Sequence, residues 1–183
     1  MLKLALYGLS GAGKSTTSVL VGRVCEQREI ASVVLKVAEP LYQAQHYVYT
    51  LLNQPVLPDQ QDQILLRALA EQIRRIAPSF LVDDFLRRVG YSTAMVVVND
   101  DLKDVAYDYP RLVEAGFRFV RITCAERTRI HRLRGRTDLT QAPETSRTWG
   151  FERIRPDWEI DNTDDGEDAL AQKVSHLLAR WLP

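Results

Sequence analysis

Short runs that are apolar at nearly every position alternate along this chain with longer segments whose apolar residues recur every third or fourth position. The first kind suits strands of a parallel sheet buried on both faces, and the second suits helices packed against that sheet. Leu2 to Tyr7 is the first strand, and its purity predicts a central place. Val19, Leu20, Val24 and Cys25 then mark a helix from Gly13 to about Gln27, and the β-branched run Ala31 to Val37 reads as the second strand. Strand, helix and strand in that order predict a right-handed parallel crossover.

Helical spacing dominates the next part of the chain. One helix runs from Tyr42 to about Asn53, where Pro55 and Pro58 break the pattern. A second spans Asp59 to Ile76, with Ile64, Leu65, Leu69, Ile73 and Ile76 on one face and Arg67, Arg74 and Arg75 beside them. A third follows from Phe80 to Val89. Roughly fifty residues of mostly helix between two strands exceed what a crossover needs. The excess predicts an acceptor-binding region over residues 38–90. Ala94 to Val98 is the third strand and ends in Asn99, Asp100 and Asp101. Tyr109 to Ala115 is helical, Phe117 to Thr123 is the fourth strand, and Trp158 to Asp161 the last. A closing helix over Asp165 to Leu182 turns Leu170, Val174, Leu177, Leu178 and Trp181 inward. The expected fold is therefore α/β, a five-stranded parallel sheet flanked by helices in three layers, within a single domain over 1–183.

Composition narrows the classes. A chain of 183 residues holds one ordinary core. With 24 basic and 24 acidic residues, nothing global favours nucleic-acid or membrane partners. Cys25 and Cys124 stand far apart in apolar settings and read as reduced thiols, which fits a cytoplasmic location. The opening residues carry no basic lead or long apolar core, so no signal peptide or membrane span is expected. His46, His131 and His176 lack metal-ligand spacing.

The chemistry enters at Gly8-Leu-Ser-Gly-Ala-Gly-Lys14-Ser15-Thr16, a complete G-x-x-x-x-G-K-[ST] between a strand and a helix. Glycines let successive amides turn inward on phosphate oxygens, and the helix that follows adds its unpaired amides and positive end. Gly11, Ala12, Gly13, Lys14, Ser15 and Thr16 are thus the expected nucleotide contacts. Lys14 reaches the β- and γ-phosphates and the Ser15 hydroxyl ligates Mg²⁺, so ATP and Mg²⁺ are the expected cofactors. The carboxylates that end the third strand have the Walker B pattern and open on the same sheet edge, so Asp100 or Asp101 approaches the metal or the acceptor oxygen. The segment Ala125 to Arg136 carries Arg127, Arg129, Arg132, Arg134 and Arg136 and begins an arginine-rich lid over 125–150. Arg132 and Arg136, four apart at its end, are the expected catalytic pair.

Together these pieces resemble the nucleoside-monophosphate kinase branch of P-loop proteins, and most nearly the phage-type deoxynucleoside monophosphate kinases. Ala38-Glu39-Pro40-Leu41 is similar to that family's small residue, acid, Pro and Leu after the second strand. Leu65 to Arg75 is similar to the Leu-rich helix that leads to an acceptor-gripping arginine, placed at Arg75 with Arg74 as the alternative. Val98-Asn99-Asp100-Asp101-Leu102-Lys103 resembles its strand-terminal Asp-Val-Arg, with Lys103 where the family has Arg. Pro143-Glu144-Thr145-Ser146 and Asp161-Asn162 are similar to its lid exit and last-strand Asn. The resemblance implies a P-loop NTPase fold, catalysis by Lys14 and Asp101, and acceptor binding by Glu39, Arg75 and Lys103. It also implies a nucleotide contact at Asn162, and the Walker B pattern for its part puts the metal contact at Asp100 beside Ser15. The implied reaction is ATP-dependent phosphoryl transfer to a nucleoside monophosphate, a deoxynucleotide in the closest match.

Two rivals stand beside it. One is a P-loop kinase whose acceptor is a hydroxyl, on a modified nucleotide, a dephospho-coenzyme A-like molecule, shikimate or a sugar. The other is a regulatory ATPase, against which the absence of an Asn-Lys-x-Asp run and the arginine-rich lid both speak. The expected partner is a small-molecule acceptor, with a homodimer allowed. Nucleic acid is disfavoured because the basic run is short and lacks interleaved aromatics.

Overall fold

The structure, a computed structural model, describes residues 1–57, 60–102, 104–135, 138–140, 150–163 and 166–182. Strands β1 (Leu2–Tyr7), β2 (Ser32–Val34), β3 (Val96–Asn99), β4 (Arg118–Thr123) and β5 (Trp158–Asp161) form one all-parallel sheet in the order β2-β3-β1-β4-β5. The period of two along β1 separates the cores. Leu4 and Leu6 face one layer, with Val96 and Val98 beside them, while Ala5, Tyr7 and Val97 face the other. Because both faces are covered, β1 and β3 need apolar residues at successive positions, which is why they are legible as unbroken runs.

Helices α1 (Lys14–Gln27) and α7 (Glu167–Trp181) close the first layer through Val21, Val24, Val174 and Leu178. Helices α2 (Glu39–Leu51), α3 (Gln63–Ile76), α4 (Phe80–Tyr91) and α5 (Asp108–Glu114) fill the other through Leu41, Leu66, Phe85 and Leu112. Burying one such side chain stabilises the fold by roughly 1.5–3 kcal/mol. Helix α6 (Glu126–Arg134) follows β4 at the carboxyl edge of the sheet. Among the described residues no helix is long and apolar enough to cross a membrane.

Several bounds differ from the sequence reading, each with a local cause. β2 ends at Val34 rather than Val37, because the Val37 and Ala38 amides turn away to a carboxylate after β3. α2 begins at Glu39 instead of Tyr42, with Pro40 in its first turn, where a missing N–H has no helical partner to lose. α3 begins at Gln63 because the Asp62 carboxylate caps it, accepting from the Leu65 amide at 3.0 Å.

The order of strands makes a crevice. Chain leaving β1 crosses to β2 by way of α1, whereas β4 and β5 lie on the other side of β1. Loops at the carboxyl ends therefore part between them, where open α/β sheets take ligands.

Candidate active site

The loop after β1 fills the head of that crevice. Gly8, Gly11 and Gly13 hold φ of 145°, 83° and 102°, values that side chains strain to adopt. Space forbids a side chain as well. A Cβ at Gly8 would strike the Ile122 carbonyl, and one at Gly13 the Asn162 amide group. Three side chains contact the loop backbone. Asn162 Nδ2 donates to the Ala12 carbonyl at 2.9 Å, Arg129 Nη1 to the Ser10 carbonyl at 3.3 Å, and Lys14 Nζ to the Gly8 and Leu9 carbonyls at 2.9 and 3.1 Å. Lys14 opens α1, and Ser15 and Thr16 follow on the exposed side of its first turn.

Arg132 approaches from α6. Its Nη1 stands 3.8 Å from where a Gly13 Cβ would be and, among the described residues, is buried without a hydrogen-bond partner. A buried guanidinium nitrogen left unpaired costs free energy unless an anion completes it. This orphan donor, beside a cradle whose glycines leave no room for a side chain, fits phosphate oxygens. ATP is therefore compatible with the residues present. Arg129 is buried but paired with Glu126, while Arg127 and Arg134 are exposed.

The acids after β3 divide their work. Asp100 is buried, with Ser18 Oγ 2.9 Å from its Oδ2 and Lys36 Nζ 2.9 Å from its Oδ1. The same Ser18 hydroxyl lies 2.9 Å from the Ser15 carbonyl, so Asp100 is joined to the first turn of α1, as a metal acid opposite Ser15 would be. Asp101 accepts from the amides of Val37 and Ala38 at 2.8 and 2.9 Å and from Asn99 Nδ2 at 2.6 Å. It braces the turn between β2 and α2 while lining the neighbouring cavity.

That cavity, of about 240 Å³, lies between α2, α3 and the segment after β3. Its polar wall comprises Tyr42, Gln63, Arg67, Glu71, Arg74, Asp101, Asp104 and Asp108. Both arginines are already paired within it. Arg67 Nε meets Glu71 at 2.8 Å, and Arg74 lies 3.2 Å from Asp104 and 3.7 Å from Asp108. Arg74 Nε is within ion-pair reach of Asp104 but off the hydrogen-bond axis, and so has no hydrogen-bond partner among the described residues. Burial, and then the carboxylates of Asp101 and Asp100, raise the Tyr42 phenol, which stays protonated. Residues 138–140 reach the rim. Thr140 Oγ1 donates to Asp62 at 2.5 Å and Leu139 N to the Gln61 carbonyl at 3.0 Å, so this part of the lid region docks on the start of α3.

Burial pushes the Asp108 carboxyl from an ordinary 3.8 to about 6, although Arg74 opposes the shift. The folded chain thus holds a proton that the unfolded chain releases at lower pH, and stability is lost as pH rises from about 4 through 6. Asn at this position escapes the loss. Asp108→Asn is expected to gain on the wild type by up to about 3 kcal/mol between pH 4 and 7. Urea unfolding of both proteins across that range checks it, and a difference that does not change with pH overturns it.

The sequence expectations for the acceptor side need correcting in two places. Arg75 is exposed and Arg74 lines the cavity, because the inward face of α3 runs through Gln63, Leu66, Arg67, Ala70 and Arg74, and residue 75 lies a further 100° round the helix. Glu39 opens α2 and accepts from Gln43, outside the cavity wall. Asn162 supports the loop backbone through its bond to the Ala12 carbonyl. Lys103, Arg136 and the run Pro143 to Ser146 lie outside the described residues. Lys36 was not singled out by the sequence, and a lysine just before the Ala-Glu-Pro-Leu run was the only available signal. Both cysteines are free, with burial raising their thiols, so neither reads as a nucleophile.

No protein-family model and no curated protein matches this sequence. Solved structures do. A sugar kinase from Janibacter sp. HTCC2649 superposes with a TM-score of 0.53 at 16% identity, over 98% of this chain and 95% of that one. The APS kinase of Mycobacterium tuberculosis, in complex with AMPPNP and APS, gives 0.52 at 21% identity over 97% of each chain. Shikimate kinase from Acinetobacter baumannii, with shikimate, gives 0.54 at 15% identity over 100% and 96%. Likeness at these identities establishes the fold, which is that of P-loop kinases.

Proposed function

We propose that this chain transfers the γ-phosphoryl group of ATP to a hydroxyl of a small polar acceptor held in the cavity beside Asp101. The observation that carries this reading is the pairing inside that cavity. Its two described arginines already meet Glu71, Asp104 and Asp108, so an acceptor phosphate would compete with resident carboxylates for both. A hydroxyl-bearing acceptor uses the same carboxylates as hydrogen-bond acceptors. The kinases of similar shape that bind APS or shikimate support it as fold-level analogy.

Mg·ATP, when bound, supplies the phosphoryl group and a divalent charge beside its oxygens. The chain supplies position and charge. The loop amides and Lys14 hold the phosphates, with Ser15 and Asp100 holding the metal and Thr16 adding its hydroxyl. Arg132 meets the charge that develops on the transferring group. Asp101, fixed by two amides and Asn99, orients the acceptor hydroxyl. The lid that begins at α6 and docks through Thr140 keeps water out, which separates transfer from ATP hydrolysis.

A deoxynucleoside monophosphate acceptor is the second reading. Arg74 Nε, which has no hydrogen-bond partner among the described residues, favours it, since a phosphate oxygen would provide one. Phosphorus NMR of products formed from ATP with monophosphates, sugars, shikimate or APS separates the two. Expected is a phosphomonoester from a hydroxyl acceptor. A new phosphoanhydride from a monophosphate overturns the first reading in favour of the second.

A further inference from the structure

We infer that Lys36 is the resident counter-ion of Asp100, displaced by the divalent metal and then used on the transferring phosphoryl group. The inference rests on the phosphotransfer reading above and assigns a role to a residue which that reading leaves idle.

The Asp100 side chain is 2% exposed, and each of its oxygens is engaged, Oδ1 by Lys36 and Oδ2 by Ser18. A carboxylate this buried is costly to leave without a cation. Here that cation is the Lys36 ammonium, 2.9 Å away. A divalent ion held by the same carboxylate would repel the ammonium and compete for its place. Lys36 can give way because its side chain is 35% exposed on a flexible four-carbon stem.

Where the ammonium goes is limited by its anchor. The Lys36 carbonyl accepts from Arg88 Nη2 at 2.7 Å, and the preceding residue donates to the Val98 carbonyl at 2.9 Å, so the backbone stays at the end of β2. From there one side leads through Ser18 to the first turn of α1, and the other, through Val37 and Asp101, to the cavity wall. A released Lys36 therefore stands between donor loop and acceptor cavity, where the phosphoryl group passes and negative charge is greatest. One lysine thus holds the metal acid in place before the metal binds and adds a positive charge at the point of transfer afterwards.

The two halves act in opposite directions on two binding constants. With Lys36→Met, a competitor for Asp100 is gone. Mn²⁺ alone, titrated into the nucleotide-free protein by electron paramagnetic resonance, is expected to bind about tenfold more tightly than to wild type. AMPPNP at saturating Mn²⁺ is expected to bind about tenfold more weakly, because the released ammonium is missing. Lys36→Arg keeps a cation on Asp100 and is expected to bind Mn²⁺ as wild type does. A residue that only supports the fold would weaken both ligands. Mn²⁺ binding by Lys36→Met that is equal to or weaker than wild type overturns the exchange, and unchanged AMPPNP binding overturns the second use. If Lys36→Met fails to fold, Lys36→Gln is measured in its place. Neither constant needs an acceptor, so failure to find transfer with any acceptor would count against the proposed function and leave this inference standing on its own measurements.

Discussion

Lys14→Ala is expected to lower phosphoryl transfer by roughly 10³-fold or more, with little change in the unfolding midpoint. The lysine sits at the centre of the loop, donating to the Gly8 and Leu9 carbonyls. Those bonds place it but do not build the loop, whose shape rests on its positive-φ glycines and on Asn162 and Arg129 reaching in from β5 and α6. Removing the ammonium therefore leaves the cradle and takes away its strongest fixed charge, which acts mainly where negative charge develops on the transferring group. Initial rates of ADP formation with the acceptor, read beside a thermal unfolding curve, check this. Near-normal turnover by a folded variant would remove the loop from the reaction and with it the proposed function.

Arg132→Met carries the second large effect, and its signs are the informative part. The guanidinium holds a buried nitrogen with no hydrogen-bond partner among the described residues, which costs the ligand-free protein stability. Methionine fills similar volume without that cost, so the unfolding free energy is expected to stay level or rise by about 1 kcal/mol. Transfer is expected to fall about 10³-fold, since a guanidinium aimed at the transferring group is worth that much in phosphoryl transfer. Arg129 is the contrast on the same helix. Its guanidinium is tied to Glu126 and the Ser10 carbonyl, so it is engaged in supporting the loop. If Arg132→Met is strongly destabilised, or transfers phosphoryl groups at the wild-type rate, the orphan donor has some other purpose.

Both arguments show what a motif can and cannot carry. The spacing of Gly8, Gly11, Gly13 and Lys14 is a statement about a few successive residues, and the structure has it as read. The spacing at the end of the basic run pointed to Arg132 and Arg136 among five arginines, and packing beside Gly13 is what places Arg132 at the loop while Arg127 and Arg134 are exposed. On the acceptor side the sequence reading put Arg75 first with Arg74 as the alternative, and it is Arg74 that lines the cavity. Adjacent residues on a helix point 100° apart, and a run of two arginines does not say which one the packed face takes inward.

Local periodicity and short motifs were enough for the sequence to determine the five strands, their helices, the central place of β1 and the phosphate loop. Each depends on neighbours along the chain, through the period of two on a buried strand, the period of 3.6 on a helix and the backbone freedom of glycine. Tertiary structure alone decided which side chains became partners. The pairing of β2 with β3 brings Lys36 to Asp100, and the Val37 and Ala38 amides to Asp101, across more than sixty positions of sequence. Packing elsewhere set Asn162 under Ala12, and Arg74 beside Asp104 and Asp108. Such partnerships depend on the order β2-β3-β1-β4-β5, on the rotation of each helix and on burial, and none of these is a property of any short stretch of residues.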